Sequence, residues 1–133
     1  MHHLGTLKIE TDRLILRPFS VEDAPDMFKN WAHDPKVTRF LTWTPHENVE
    51  CTRALLTEWV QQYSQPSCYN WCIVSKESGE PIGNISVVQL NEKIGAAEIG
   101  YCLSAALWGR GVMTEAFSAV IEFLFDRVGL NRI

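Results

Sequence analysis

Apolar and polar positions alternate with a period of two along residues 7–17, most cleanly around Leu14 and Leu16, which predicts a strand or a bent pair of strands. The period then changes. Val21, Ala24, Met27, Phe28 and Trp31 recur at helical spacing and predict an amphipathic helix over 21–32. Ser20-Val21-Glu22-Asp23 reads as a capping box, whose serine oxygen takes an orphan N–H and whose acidic residues suit the helix dipole. Asp34-Pro35 ends that helix, because the residue before proline is pushed out of the helical region. A second start signal, Thr44-Pro45-His46-Glu47, combines a cap, a proline at the first helical position and a glutamate at the third. Cys51, Leu55, Leu56, Trp59, Val60 and Tyr63 give that helix one apolar face, and it should end near Gln65-Pro66.

Strand-like runs follow at Tyr69–Ser75, Pro81–Leu90 and Ala96–Leu103, joined by short glycine-containing connections that favour antiparallel hairpins. After Leu107-Trp108-Gly109-Arg110-Gly111-Val112 a helix is expected from about Met113 to Arg127. Its buried face is Met113, Ala116, Phe117, Val120, Phe123 and Leu124, with Gly129 as C-cap. Leu130-Asn131-Arg132-Ile133 reads as the start of another strand. Segregated antiparallel strands with flanking helices define an α+β fold. No repeat, low-complexity tract or linker divides the chain, so residues 1–133 are read as a single domain.

Composition narrows the function classes. Twelve basic against sixteen acidic residues give a formal charge of −4, which argues against non-specific nucleic-acid binding. No apolar run approaches the roughly 18–20 residues that a membrane span needs. The start, Met1-His2-His3-Leu4-Gly5, shows no basic segment leading into an apolar one, so no signal peptide and a cytoplasmic location are expected; the histidines are left out of the fold reading. Cys51, Cys68, Cys72 and Cys102 form no C-x-x-C pair and have no nearby histidine to complete a zinc set, so no metal is expected and buried reduced thiols are.

Chemistry concentrates in one segment. A strand, a glycine-bearing turn and a helix recur as a device for binding phosphate, because the helix start offers unpaired N–H groups and partial positive charge. Gly109 and Gly111 let the backbone approach an anion, and Arg110 adds a cation suited to a diphosphate. The same Gly-x-Gly is also simply a tight connection. Neither the Gly-Lys-Ser/Thr signature nor the third glycine of the dinucleotide fingerprint is present.

The run from Glu98 to Ala116, E-I-G-Y-C-L-S-A-A-L-W-G-R-G-V-M-T-E-A, closely resembles the core motif of the RimJ/RimL-like branch of the GNAT N-acetyltransferases. Thr11-Asp12-Arg13-Leu14-Ile15-Leu16-Arg17-Pro18, Asp23-Ala24 and Pro81-Ile82-Gly83 agree with it in family order and spacing, so the resemblance spans nearly the whole chain. It implies a GNAT-like, mixed but mostly antiparallel sheet flanked by helices, with acetyl-CoA as co-substrate and an amine as acceptor. The pyrophosphate-binding loop then falls on Trp108, Gly109, Arg110, Gly111, Val112, Met113 and Thr114. Backbone amides of Gly109, Gly111, Met113 and Thr114 would face the diphosphate, with Arg110 beside it. Ile99, Gly100, Cys102 and Leu103 fall on the strand that pairs with the pantetheine arm and polarises the acetyl carbonyl. Two positions depart from the superfamily pattern: Trp108 stands where it has Gln or Arg, and Met113 where it has Gly or Ala.

The implied reaction is direct attack of an amine on the thioester, which requires a group to remove the amine's proton. Glu98 is the first candidate, with partial burial expected, and Tyr101 is a candidate for positioning the amine; their bland readings are an exposed strand carboxylate and a packing tyrosine. Trp43, His46 and Trp31 lie on or beside segments that resemble the acceptor-binding region. Trp59 and Trp71 read as core, and Glu115 as a favourable charge at a helix N-terminus. The superfamily fold continues past the residue matching Ile133 with a strand-helix-strand. The resemblance therefore implies a fragment, or completion by a second copy through strand swapping or edge pairing. The runner-up functions are a non-catalytic acyl-CoA-binding domain and an inactive fragment of a longer acetyltransferase.

Overall fold

The computed structural model describes residues 2–39, 44–131 and 133. The predicted bent strand pair is a hairpin of β1 (Ile9–Glu10) and β2 (Leu14–Arg17), with Ile9 opposite Leu16. Three longer strands follow, β3 (Asn70–Ser75), β4 (Pro81–Asn91) and β5 (Ala96–Leu103). They complete a five-stranded antiparallel sheet in the order β1-β2-β3-β4-β5. The α+β architecture expected from the pattern is the one present.

Between β2 and β3 the chain forms a 3-10 turn (Val21–Asp23), α1 (Ala24–Met27), a π turn (Phe28–Ala32), α2 (Pro35–Thr38) and α3 (Val49–Gln62). The capping box at Ser20 is present: the serine hydroxyl accepts from the Glu22 N–H and the Asp23 carboxylate accepts from the Ser20 N–H at 2.8 Å. Asp23 also takes a two-pronged pair from Arg17 at 2.8 and 2.9 Å, which ties the end of β2 to the helix start.

Several expectations are corrected. Asp34 leaves the helical region as predicted but caps α2, which the sequence reading missed. Helix α3 begins at Val49 rather than at Pro45, because the Asn48 side chain caps the Cys51 N–H, while the His46 N–H donates to the Ala32 carbonyl at 2.9 Å. It ends at Gln62, short of Gln65-Pro66. Cys51 is exposed, so it is neither a buried thiol nor part of the apolar face, whereas Thr52 is fully buried. Leu130, Asn131 and Ile133 belong to no strand; instead the Asn131 N–H donates to the Gly95 carbonyl at 2.6 Å. The N-terminal histidines do take part in the fold: His3 bonds the Tyr69 hydroxyl at 2.9 Å and also pairs with Glu92.

The sheet has a core on each face. Leu14, Leu16, Trp71, Ile73 and Ile85 pack with Ala116, Val120, Phe123 and Leu124 of the C-terminal helix, α4 (Val112–Phe123). On the other face Cys72, Val74 and Cys102 pack with Met27, Trp31 and Leu56. Strand β3 is thus buried on both sides, and its neighbours are held rigidly between two helical layers. After α4 the helix widens into a π turn (Leu124–Val128) and stops at Gly129, whose φ of 88° serves the expected C-cap.

Candidate active site

Strand β5 is the last strand in the sheet order among the described residues, so its outward backbone groups are available to a ligand in extended conformation. From its end the chain makes a 3-10 turn (Ala105–Leu107) and then the glycine loop. The Trp108 indole N–H donates back to the Leu103 carbonyl at 2.9 Å and fastens the loop to the strand. Gly109 and Gly111 have φ of 77° and 75°, left-handed values that β-carbon sterics disfavour in other residues. The helix start that follows is bare. The segments opening at Val21, Pro35 and Val49 carry side-chain caps from Ser20, Asp34 and Asn48, whereas α4 opens on Gly111 with no side-chain cap. Its first N–H groups therefore retain the capacity to bind an anion.

These elements enclose a cleft of about 720 Å³ lined by Gly100–Leu103 of β5, by Leu107, Trp108, Gly109 and Gly111, and by Val112–Thr114 at the start of α4. Tyr101, Leu107 and Trp108 give the cleft an apolar wall, and at its glycine end nothing stands within 4 Å of a β-carbon position at Gly109. Met113, the departure from the superfamily pattern, is accommodated: its side chain packs partly buried against the core beneath α4. Ile99 likewise packs against that core and does not line the cleft, so only its backbone could face a ligand. Arg110 also does not line the cleft; its side chain is exposed.

A second cleft of about 770 Å³ lies on the α3 side of the same strand. Its walls include Trp59 and Gln62 from α3, Asn70, Asn84 and Ser86 from the sheet, and Glu98. Gly100, Tyr101 and Cys102 line both clefts. Strand β4 carries a bulge here, with Val87 opposite Ile99 and Gln89 opposite Glu98, so that Val88 is the extra residue. The doubled valine Val87-Val88, which interrupts the alternation of β4, was the sequence signal for it.

Glu98 is exposed, not partly buried as expected; it lines the second cleft and a hollow at the β4–β5 turn, and not the glycine-loop cleft. Tyr101 is 57% exposed rather than half-buried packing, although its ring meets Phe117 edge-on at 6.5 Å. His46 lines neither cleft: its ring bonds the Thr52 hydroxyl at 2.6 Å, and burial pushes its pKa below the ordinary 6.5. Trp31 is wholly buried in the core and offers nothing to an acceptor. Trp43 lies outside the described residues. Residues missed by the sequence reading are Asn70, Asn84 and Ser86, small polar side chains hidden among strand positions that read only as β-sheet. No group of histidine, cysteine or acidic side chains suited to a metal occurs among the described residues, and no helix there is long and apolar enough to cross a membrane.

A glycine loop feeding an uncapped helix stands beside an edge strand with two adjoining clefts, an arrangement suited to an extended anionic ligand. Residues 13–133 match the Acetyltransferase (GNAT) domain, and the chain belongs to the GNAT acetyltransferase family. Uncharacterized N-acetyltransferase p20 of Bacillus licheniformis is 33% identical over 123 residues, which cover 92% of this chain and 68% of that protein. The ribosomal-protein-S5-alanine acetyltransferase of Vibrio fischeri superposes with a TM-score of 0.71 at 20% identity, covering 93% of this chain and 70% of that one. The microcin C7 self-immunity acetyltransferase MccE, solved with acetyl-CoA and AMP, does so with a TM-score of 0.75 at 18% identity, covering 90% and 66%. At those identities the two structures speak for the fold.

Proposed function

We propose that this protein transfers the acetyl group of acetyl-CoA to a primary amine, on a protein N-terminus or a small molecule, by direct attack within a single domain spanning residues 1–133. The observation that carries this reading is the shared wall: Gly100, Tyr101 and Cys102 of β5 border both the glycine-loop cleft and the polar cleft. Donor and acceptor held in adjoining clefts meet at one strand, which is the proximity that a two-substrate transfer needs. The solved relative of this fold in complex with acetyl-CoA supports the choice of donor. A relative named for acetylating an alanine of ribosomal protein S5 supports a protein amine among the acceptors.

In this reading the amides of Gly109, Gly111, Met113 and Thr114 bind the diphosphate, and the outward groups of β5 hold the arm in register. A β5 N–H also takes charge that develops on the acetyl oxygen. The second cleft holds the amine: Asn70, Asn84 and Ser86 offer hydrogen bonds without positive charge, and Glu98 favours a cation at its mouth. Glu98, solvated and facing that cleft, takes the amine's proton directly or through water. The nitrogen lone pair then bonds to the carbonyl carbon, the carbon–sulfur bond breaks with its electrons on sulfur, and the second proton leaves the now cationic nitrogen through solvent to the departing thiolate. Tyr101, projecting between the clefts, orients the amine. Calorimetry with acetyl-CoA followed by free-thiol release across a panel of amines and peptide N-termini tests the proposal. Binding with amine-dependent thiol release is expected. Absence of binding refutes the donor site, and binding without thiol release refutes catalysis in favour of an acyl-CoA-binding module.

A further inference from the structure

The glycine loop is braced from outside the cleft by the β1–β2 hairpin. The Glu115 carboxylate, in the first turn of α4, accepts from the Thr11 hydroxyl at 2.5 Å, the Arg13 backbone N–H at 3.0 Å and the Arg13 Nε at 2.7 Å. The other arm of the Arg13 guanidinium donates through Nη1 to the Arg110 carbonyl at 3.1 Å. Its Nη2 lies 3.6 Å from where a β-carbon on Gly111 would stand. Arg13 lines neither cleft, so it touches no ligand bound in them.

Two consequences follow from elementary geometry and charge. In a planar trans peptide the carbonyl and the next N–H point in opposite directions. Holding the Arg110 carbonyl towards the hairpin therefore turns the Gly111 N–H to the other side of that peptide plane, and the flanking left-handed glycines make the plane free to rotate without such a hold. Second, a carboxylate in the first turn of a helix would ordinarily compete for the bare N–H groups and repel an incoming anion. Partial burial pushes the Glu115 carboxyl up, but the bonds from Thr11 and Arg13 outweigh it and hold the group charged and turned away.

We propose that Arg13 is a positioning residue for donor binding: its forked guanidinium fixes the glycine loop through the Arg110 carbonyl and neutralises Glu115 beside the diphosphate site. This rests on the reading of that loop as the diphosphate site. Lysine serves only in part: it keeps the charge beside Glu115 but has no planar fork to reach both acceptors.

The test compares wild type, Arg13→Ala, Arg13→Lys and Arg13→Ala/Glu115→Gln, using calorimetric Kd for CoA and steady-state kinetics with acetyl-CoA and with S-acetylpantetheine, which lacks the diphosphate. Arg13→Ala should weaken CoA binding and raise the acetyl-CoA KM about tenfold, as expected for loss of charge-assisted bonds. It should leave kcat and the S-acetylpantetheine KM unchanged. Arg13→Lys, which keeps the charge beside Glu115 but not the fork to the Arg110 carbonyl, should fall between wild type and Arg13→Ala, and Glu115→Gln should restore part of the alanine loss by removing the unpaired charge. Equal loss with both donors, unchanged CoA binding, or no recovery in the double variant overturns the proposal. If Arg13→Ala melts below the assay temperature, Arg13→Gln takes its place in the same comparison. Wild type that favours acetyl-CoA no more than S-acetylpantetheine refutes the diphosphate site itself, and the role of Arg13 with it.

Discussion

Gly83→Ala perturbs a place where the backbones of two strands that build the site approach too closely for a side chain. A β-carbon at Gly83 would lie 2.2 Å from the Cys102 carbonyl oxygen and 3.1 Å from the Leu103 Cα. Ordinary contact begins near 3.4 Å, so the gap must open by about 1.2 Å (3.4 − 2.2). Both offending atoms are backbone, and no rotamer change relieves them. The neighbouring bond from the Ser104 N–H to the Ile82 carbonyl, now 2.8 Å, stretches beyond bonding distance under such a shift. A lost neutral bond costs about 1 kcal/mol and overpacking about 1–3 kcal/mol, so roughly 2–4 kcal/mol is expected. For a chain of this length that lowers Tm by roughly 10 °C. Urea and thermal unfolding measure it, with Gly79→Ala as the control, because Gly79 has φ of 72° but nothing within 4 Å of its β-carbon position. The control should cost only the left-handed strain of about 1–2 kcal/mol. If Gly83→Ala is no more destabilising than Gly79→Ala, the close packing of β4 on β5 is wrong, and with it the shape of both clefts.

Gly111→Glu combines a side chain at a left-handed position with a negative charge at the anion end of the loop, and calorimetry should detect no acetyl-CoA binding; unchanged affinity would refute the loop assignment. His46 gives a pH dependence of stability. Its pKa is lowered in the folded protein, so the unfolded chain protonates first as pH falls. Its contribution is complete above the unfolded value near 6.5 and is lost as pH falls below that towards the folded pKa. Melts of wild type and His46→Gln across this window should differ in slope, the variant being flatter, and parallel curves would refute the assigned burial of the ring.

The strands were legible because their alternation marks the buried face and glycines mark the turns: Leu14 and Leu16, buried as predicted, sit opposite Ser75 and Ile73 of β3. The α4 face was legible because Ala116, Val120 and Phe123 recur at helical spacing, and the period continues in the sequence to Leu124, where the π turn begins. Ambiguity arose where two local signals competed. Thr44 and Asn48 are both good caps, and the choice of Asn48 is made by His46 bonding the distant Ala32 carbonyl, which no local pattern encodes. Leu130-Asn131 has strand-like composition, yet its hydrogen bond goes to the Gly95 turn. The donor loop was visible as a motif, but its brace was not: Thr11 and Arg13 meet Glu115 across separations of 104 and 102 residues. Exposure of Glu98 likewise depends on the β4 bulge and the path of α3, which only the assembled sheet determines.

The account stands on where the donor binds, and a crystal structure with acetyl-CoA measures that directly. It predicts the diphosphate within hydrogen-bonding distance of the Gly109–Thr114 backbone amides and the arm paired along the outward edge of β5, with the acetyl carbon between the clefts at Gly100–Cys102. A donor bound elsewhere, or a diphosphate held by side chains away from this loop, would contradict it.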